Sequence, residues 1–157
     1  MQRVFRIVLG AVTAFSCTAA IASARPNVVL KLNGTVAQRA SDGTVHAVPL
    51  EKVSVKPGER ITWSILATNS GDSAAAHLIP QGRIPAGTAF VAGTAVAPPG
   101  DHVEYSLDNG KTWSANPTVV VKTPAGPQTR NADPATFTQI RWVSEHALAP
   151  KGIERFA

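Results

Sequence analysis

The chain has 157 residues and a net charge of +5, from 15 Lys and Arg against 10 Asp and Glu. Its basic residues are spread singly, at Lys31, Arg39, Lys52, Lys56, Arg60, Arg83 and Lys111, without the clustering or interleaved aromatics of a nucleic-acid footprint, so no nucleic-acid partner is expected. The single cysteine, Cys17, lies in the N-terminal leader, so the rest of the chain has no thiol for a disulfide, a nucleophile or a thiolate metal site.

Residues 1–24 read as a secretion signal. Arg3 and Arg6 supply the positive start, residues 7–21 carry no charge, and Ala22-Ser23-Ala24 places small residues where a signal peptidase cuts. Cleavage is expected after Ala24, with Ala22 and Ala24 as the recognised positions. The apolar stretch is shorter than the roughly 20 residues of a spanning helix, and Thr13, Ser16 and Thr18 dilute it. No membrane span is expected after cleavage. Ala14-Phe15-Ser16 before Cys17 is a poor match to a lipoprotein signal. The exported part, residues 25–157, is long enough for one domain with its own core. Its destination is the periplasm, the envelope or the exterior.

That part reads as strands and turns. Alternation predicts a strand over 28–32, closed by a turn at Asn33-Gly34. A second is predicted over 52–56, stopped by Pro57-Gly58. The clearest, 61–68, puts Ile61, Trp63 and Ile65 on one buried face. A turn at 69–72, a strand over 74–79, a loop over 80–87, and short strands at 89–91 and 95–97 follow. Val103, Tyr105 and Leu107 alternate before a hairpin at 108–111; 119–121 is an apolar strand, 123–135 a long Pro- and Gly-rich loop. Gln139 begins the last clear alternation, with Ile140 and Trp142 inward. Residues 144–148 allow one short turn, and no segment shows sustained helical periodicity. The expected class is all-β, an immunoglobulin-like β-sandwich of about seven to nine short strands, with a barrel as the competing architecture.

Several motifs occur in a familiar order. They are Pro57-Gly58 before a strand, Thr68-Asn69-Ser70-Gly71 after it, Ile84-Pro85-Ala86-Gly87-Thr88-Ala89-Phe90, and Leu148-Ala149-Pro150 near the end. Over roughly residues 45–157 the chain resembles the bacterial conserved repeat domain, catalogued as domain of unknown function number eleven. Ile84 stands where that family usually has leucine, and Lys151 where glycine is common. The resemblance implies an immunoglobulin-like module of secreted, wall-attached or envelope proteins. It implies no catalytic residues and no cofactor.

Ser106, Asp108, Gly110, Thr112 and Trp113 fit the Asp-box hairpin that recurs in sialidase propellers. The logic is local: a carboxylate caps backbone N–H groups across the turn, glycine takes a positive φ, and tryptophan packs beneath. One copy makes no propeller, so the reading is structural. His46, His77, His102 and His146 show no metal-ligand spacing, and Asp101-His102 with Glu104 is the densest titratable cluster, read as an exposed face. No nucleophile elbow or zinc-binding helix motif supports a hydrolase.

The sequence therefore points to a non-enzymatic exported module with a structural or protein-contact role. The alternative is a small carbohydrate-binding module using Trp113 and Tyr105. Residues 151–157 are few for a closing strand, so the strand at 139–143 is expected to have an incomplete neighbour. That edge is covered by 28–32, by an unknown protein partner, or by self-association.

Overall fold

The computed structural model describes residues 24–157; residues 1–23, which hold nearly all of the expected secretion signal, lie outside them. Nine strands and two single-turn 3-10 segments make up the regular structure, with no α-helix among the described residues. The strands are β1 (Val28–Arg39), β2 (Val45–Pro49), β3 (Ile61–Asn69), β4 (Gln81–Arg83), β5 (His102–Ser106), β6 (Thr118–Thr123), β7 (Gly126–Asn131), β8 (Gln139–Val143) and β9 (Ile153–Phe156).

They form a four-stranded sheet in the order β2-β1-β3-β9, a three-stranded sheet β4-β8-β5, and a separate β6-β7 ribbon. All the strand pairs are antiparallel. The two larger sheets share one core, an arrangement consistent with a β-sandwich. Ile65 and Ala67 of β3 and Phe156 of β9 meet Ile140 and Trp142 of β8, with Ala75 and Leu148 closing one end. Trp142 packs its ring 6.0 Å from that of Phe156 and donates its indole N–H to the Val96 carbonyl at 3.0 Å. The polar end of a core tryptophan is thereby satisfied.

Several expectations are corrected. Asn33-Gly34 is no turn: β1 runs straight through it and pairs with β3 as far as Val36↔Ile61. Glycine there answers to packing, since a Cβ on Gly34 would come 2.7 Å from Cζ3 of Trp63 and 2.3 Å from Cδ1 of Leu50. Residues 53–56 form no strand, residues 74–79 contribute one bridge, Ala75↔Leu148, and 89–91 and 95–97 form none. The loop at 80–87 contains β4, and the loop at 123–135 contains β7, which closes a hairpin with β6 around Pro124 and Ala125.

Trp63 is also corrected. It is 37% exposed, although Ile65 on the same face is buried. Strand alternation fixes a face, not how closely the layer above it fills in, and here an open cleft lies between Trp63 and Ile140 of the second sheet. Ile61, beyond it, is half-buried.

The last correction concerns the sheet edge. β9 pairs with β3, through Ile65↔Phe156 to Thr68↔Ile153, and not with 139–143. β8 is the central strand of its sheet, flanked by β4 and β5. The N–H groups of Trp142 and Ser144 donate to the carbonyls of Pro80 and Leu78, so that strand has no open side.

Candidate functional site

Unpaired backbone lies instead on the larger sheet. β2 covers β1 only from Thr35 to Arg39, which leaves the 28–33 half without a neighbour on that side among the described residues. Pairing geometry says which residues are affected. The Asn69 N–H reaches the Gly152 carbonyl on the β9 side, so alternate residues of β3 point their backbone groups towards β9 and the others towards β1. Carried across the register, this aims the N–H and C=O groups of Leu30 and Leu32 away from β3, into solvent. Their side chains share the inner face with Ala67 and Ile65, their partners on β3. Leu30 is 48% exposed and Leu32 59%, and Val29 on the outer face is also exposed. This is a long apolar edge, of the kind proteins usually shorten or charge.

Beside it, an apolar cleft of about 470 Å³ opens between the sheets, walled by Leu32, Trp63, Ile84, Phe90, Val91 and Ile140. The 61–64 half of β3 likewise has no neighbour on the β9 side among the described residues.

The hairpin residues assemble closely. The Asp108 carboxylate accepts from the Thr112 hydroxyl (2.7 Å), the Thr112 N–H (2.9 Å), the Ser106 hydroxyl (2.8 Å) and the Lys111 N–H (3.1 Å). These bonds, the Thr112 hydroxyl first, hold its carboxyl down at about 2 from the ordinary 3.8. Ser106, fully buried, accepts from the Gly110 N–H at 2.8 Å, and Gly110 has φ +86°. Trp113 donates its indole N–H to the Gly110 carbonyl at 3.1 Å. The Arg141 guanidinium lies 4.6 Å from its ring centroid and is paired with Glu104.

Trp113 and Tyr105 do not form one platform. Tyr105 faces inward, its ring 4.6 Å from Phe137 and 5.1 Å from Phe90, and burial raises its hydroxyl pKa. Trp113 lies on the outer face of the smaller sheet with Arg141. There it lines a polar cavity of about 340 Å³ with Gln81, Arg83, Asn109, Gly110 and Gln139. The amides of this cavity come from β4, β8 and the hairpin, so their meeting was not readable from spacing.

The structure also gathers titratable groups that no spacing suggested. Asp101, His146 and Glu154 place ligand-type atoms within 4.8 Å of one another, one imidazole and two carboxylates. His146 Nδ1 is 3.3 Å from Asp101 and Nε2 is 3.4 Å from Glu154, so each ring nitrogen already faces a carboxylate. The Asp101 side chain is fully buried and also accepts from the Ser144 hydroxyl and the Glu145 N–H. His102 meets Glu145 at 3.3 Å. The cluster ties the 144–149 loop to β5 and β9.

No protein-family model matches the chain, and no match was found among curated proteins or solved structures.

Proposed function

We propose that this chain is an exported, immunoglobulin-like β-sandwich module of the bacterial envelope or extracellular space, non-enzymatic, acting through protein contact at the open edge of its larger sheet. The leader-type sequence at 1–24 and the motif order over 45–157 support the compartment and the module type. The observation that carries the contact role is the apolar edge at 28–33, with the outward backbone groups of Leu30 and Leu32. An extended segment laid along it gains main-chain hydrogen bonds and covers both leucines. The segment belongs to a partner protein or to a second copy of the chain.

Site-specific photocrosslinking in the producing bacterium tests this. A photoreactive residue at Leu32 should crosslink to one defined extended segment, and a probe at exposed Lys52 should not. Leu30→Pro removes an edge donor without touching the β1–β3 ladder, and should abolish the crosslink while the isolated protein stays folded. Equal, diffuse crosslinking from both positions, or a Leu32 crosslink that survives Leu30→Pro, would overturn the reading.

A further inference from the structure

We infer that the polar cavity on the outer face of the β4-β8-β5 sheet is a binding site for a neutral saccharide. It lies on the opposite sheet from the apolar edge and does not depend on the role proposed for that edge. The carrying residue is Gln139. It is only 7% exposed, yet its carboxamide makes no hydrogen bond among the described residues. None of its polar atoms is sealed from solvent without a partner, and the side chain lines the cavity. A buried amide held open to a cavity is costly unless something hydrogen-bonds to it there, water in the free protein and a ligand in the complex.

The surroundings fix the ligand class. Register places Gln139 opposite Arg83 of β4 and Ser106 of β5, with Gln81 further along β4. Asn109 and Gly110 of the hairpin form the facing wall, and Gly110 lets the carboxamide approach: a Cβ there would lie 3.0 Å from Gln139 Oε1. Gln81, Asn109 and Gln139 each offer donors and an acceptor, the match for hydroxyl groups, which also do both. A carboxylate or phosphate ligand would only accept and would leave three amide carbonyls unmatched. Among the described residues, Arg83 is the one ionisable side chain lining the cavity, too little for an anion site built on charge. Trp113 borders the cavity beside these polar groups. Its indole N–H is held by the Gly110 carbonyl and its ring carries Arg141, so this border is fixed before binding. The volume of about 340 Å³ is at the small end of the roughly 300–1,000 Å³ of small-molecule sites, room for one or two sugar rings.

The test is an NMR titration of isotope-labelled protein with neutral hexoses, N-acetylhexosamines and their short oligomers. At least one should shift the side-chain amide signals of Gln139, Gln81 and Asn109 and the Trp113 indole signal, saturably. Gln81→Ala changes an exposed residue and should weaken binding about tenfold, the effect of one lost hydrogen bond and its unmatched partner. Gln139→Met keeps the shape without the amide and should weaken it further. If that variant does not fold, Gln81→Ala and Trp113→Ala carry the test. No shift of these signals at tens of millimolar sugar would overturn the inference. So would binding confined to acidic sugars, or affinity unchanged in Gln81→Ala.

Discussion

Asn69 Nδ2 donates a hydrogen bond of 3.1 Å to the carbonyl of Leu148, 79 residues further along the chain. The same amide donates to the carbonyls of Ser73 and Ala149, and its oxygen accepts the N–H groups of Asn27 and Gly71. One fully buried side chain thus joins the start of β1, the turn after β3 and the turn before β9. Among side chains of this length, only asparagine's carboxamide supplies both two donors and an acceptor oxygen. Asn69→Ala strands several buried backbone groups and should cost about 2–4 kcal/mol. Asn69→Asp keeps the acceptor but turns an oxygen towards three carbonyls, and should cost at least as much. Urea melts measure both; a shift within the range of surface changes would show that water replaces the network.

Gly34 and Trp63 form a second coupled pair. A methyl at position 34 would sit 2.7 Å from the Trp63 ring, so Gly34→Ala pushes either Trp63 or Leu50 aside. Such overpacking costs typically about 1–3 kcal/mol. Trp63→Ala should cost less than the roughly 3–5 kcal/mol of a fully buried aromatic, because Trp63 is 37% exposed. In the double variant the ring that clashes is gone, so the two costs should fall short of adding. Additive costs in a double-mutant cycle would show that Leu50 alone absorbs the methyl.

What was legible follows from how local each signal is. Alternation over 61–68 and 139–143 is a property of the chain itself, and β3 and β8 stand there. The Asp108 hairpin closes within eight residues and was equally readable. Trp63 was misplaced because alternation says which face it takes and not whether the opposite layer closes on it, and a cleft is left open there. Gly34 looked like turn chemistry, but the tryptophan across the ladder sets its identity. β7 was hidden because Gly126-Pro127-Gln128-Thr129-Arg130-Asn131 has no apolar alternation, and its pairing with β6 supplies the order. The Gln139 cavity and the Asp101–His146–Glu154 cluster each draw on three separated segments, which no single stretch of sequence reveals.

The export reading predicts the product's N-terminus. Produced in a bacterium with its own leader, the stable protein should begin at Arg25. Intact mass of the periplasmic or secreted fraction measures this. Retention of residues 1–24 would remove the signal-peptide reading, and a diacylated Cys17 would replace it with a lipoprotein anchor.

The last prediction concerns acid. The folded hairpin holds the Asp108 carboxyl at about 2, and in the unfolded chain it returns to the ordinary 3.8. A group whose pKa is lower in the folded state stabilises that state while it is ionised in both. The contribution of Asp108 is therefore complete above pH 3.8, declines as pH falls from 3.8 towards 2, and is absent below the folded value. The Trp113 indole signal reports the event, since its N–H is bonded to Gly110 in the same turn. In the wild type it should hold its folded position at pH 5 and move towards the unfolded one between pH 4 and 2. Asp108→Asn keeps an acceptor oxygen but no charge, so its hairpin should be weaker at neutral pH and its response across that window nearly flat. Identical titration curves for the two proteins would mean that other carboxylates govern the acid transition and that the hairpin follows them.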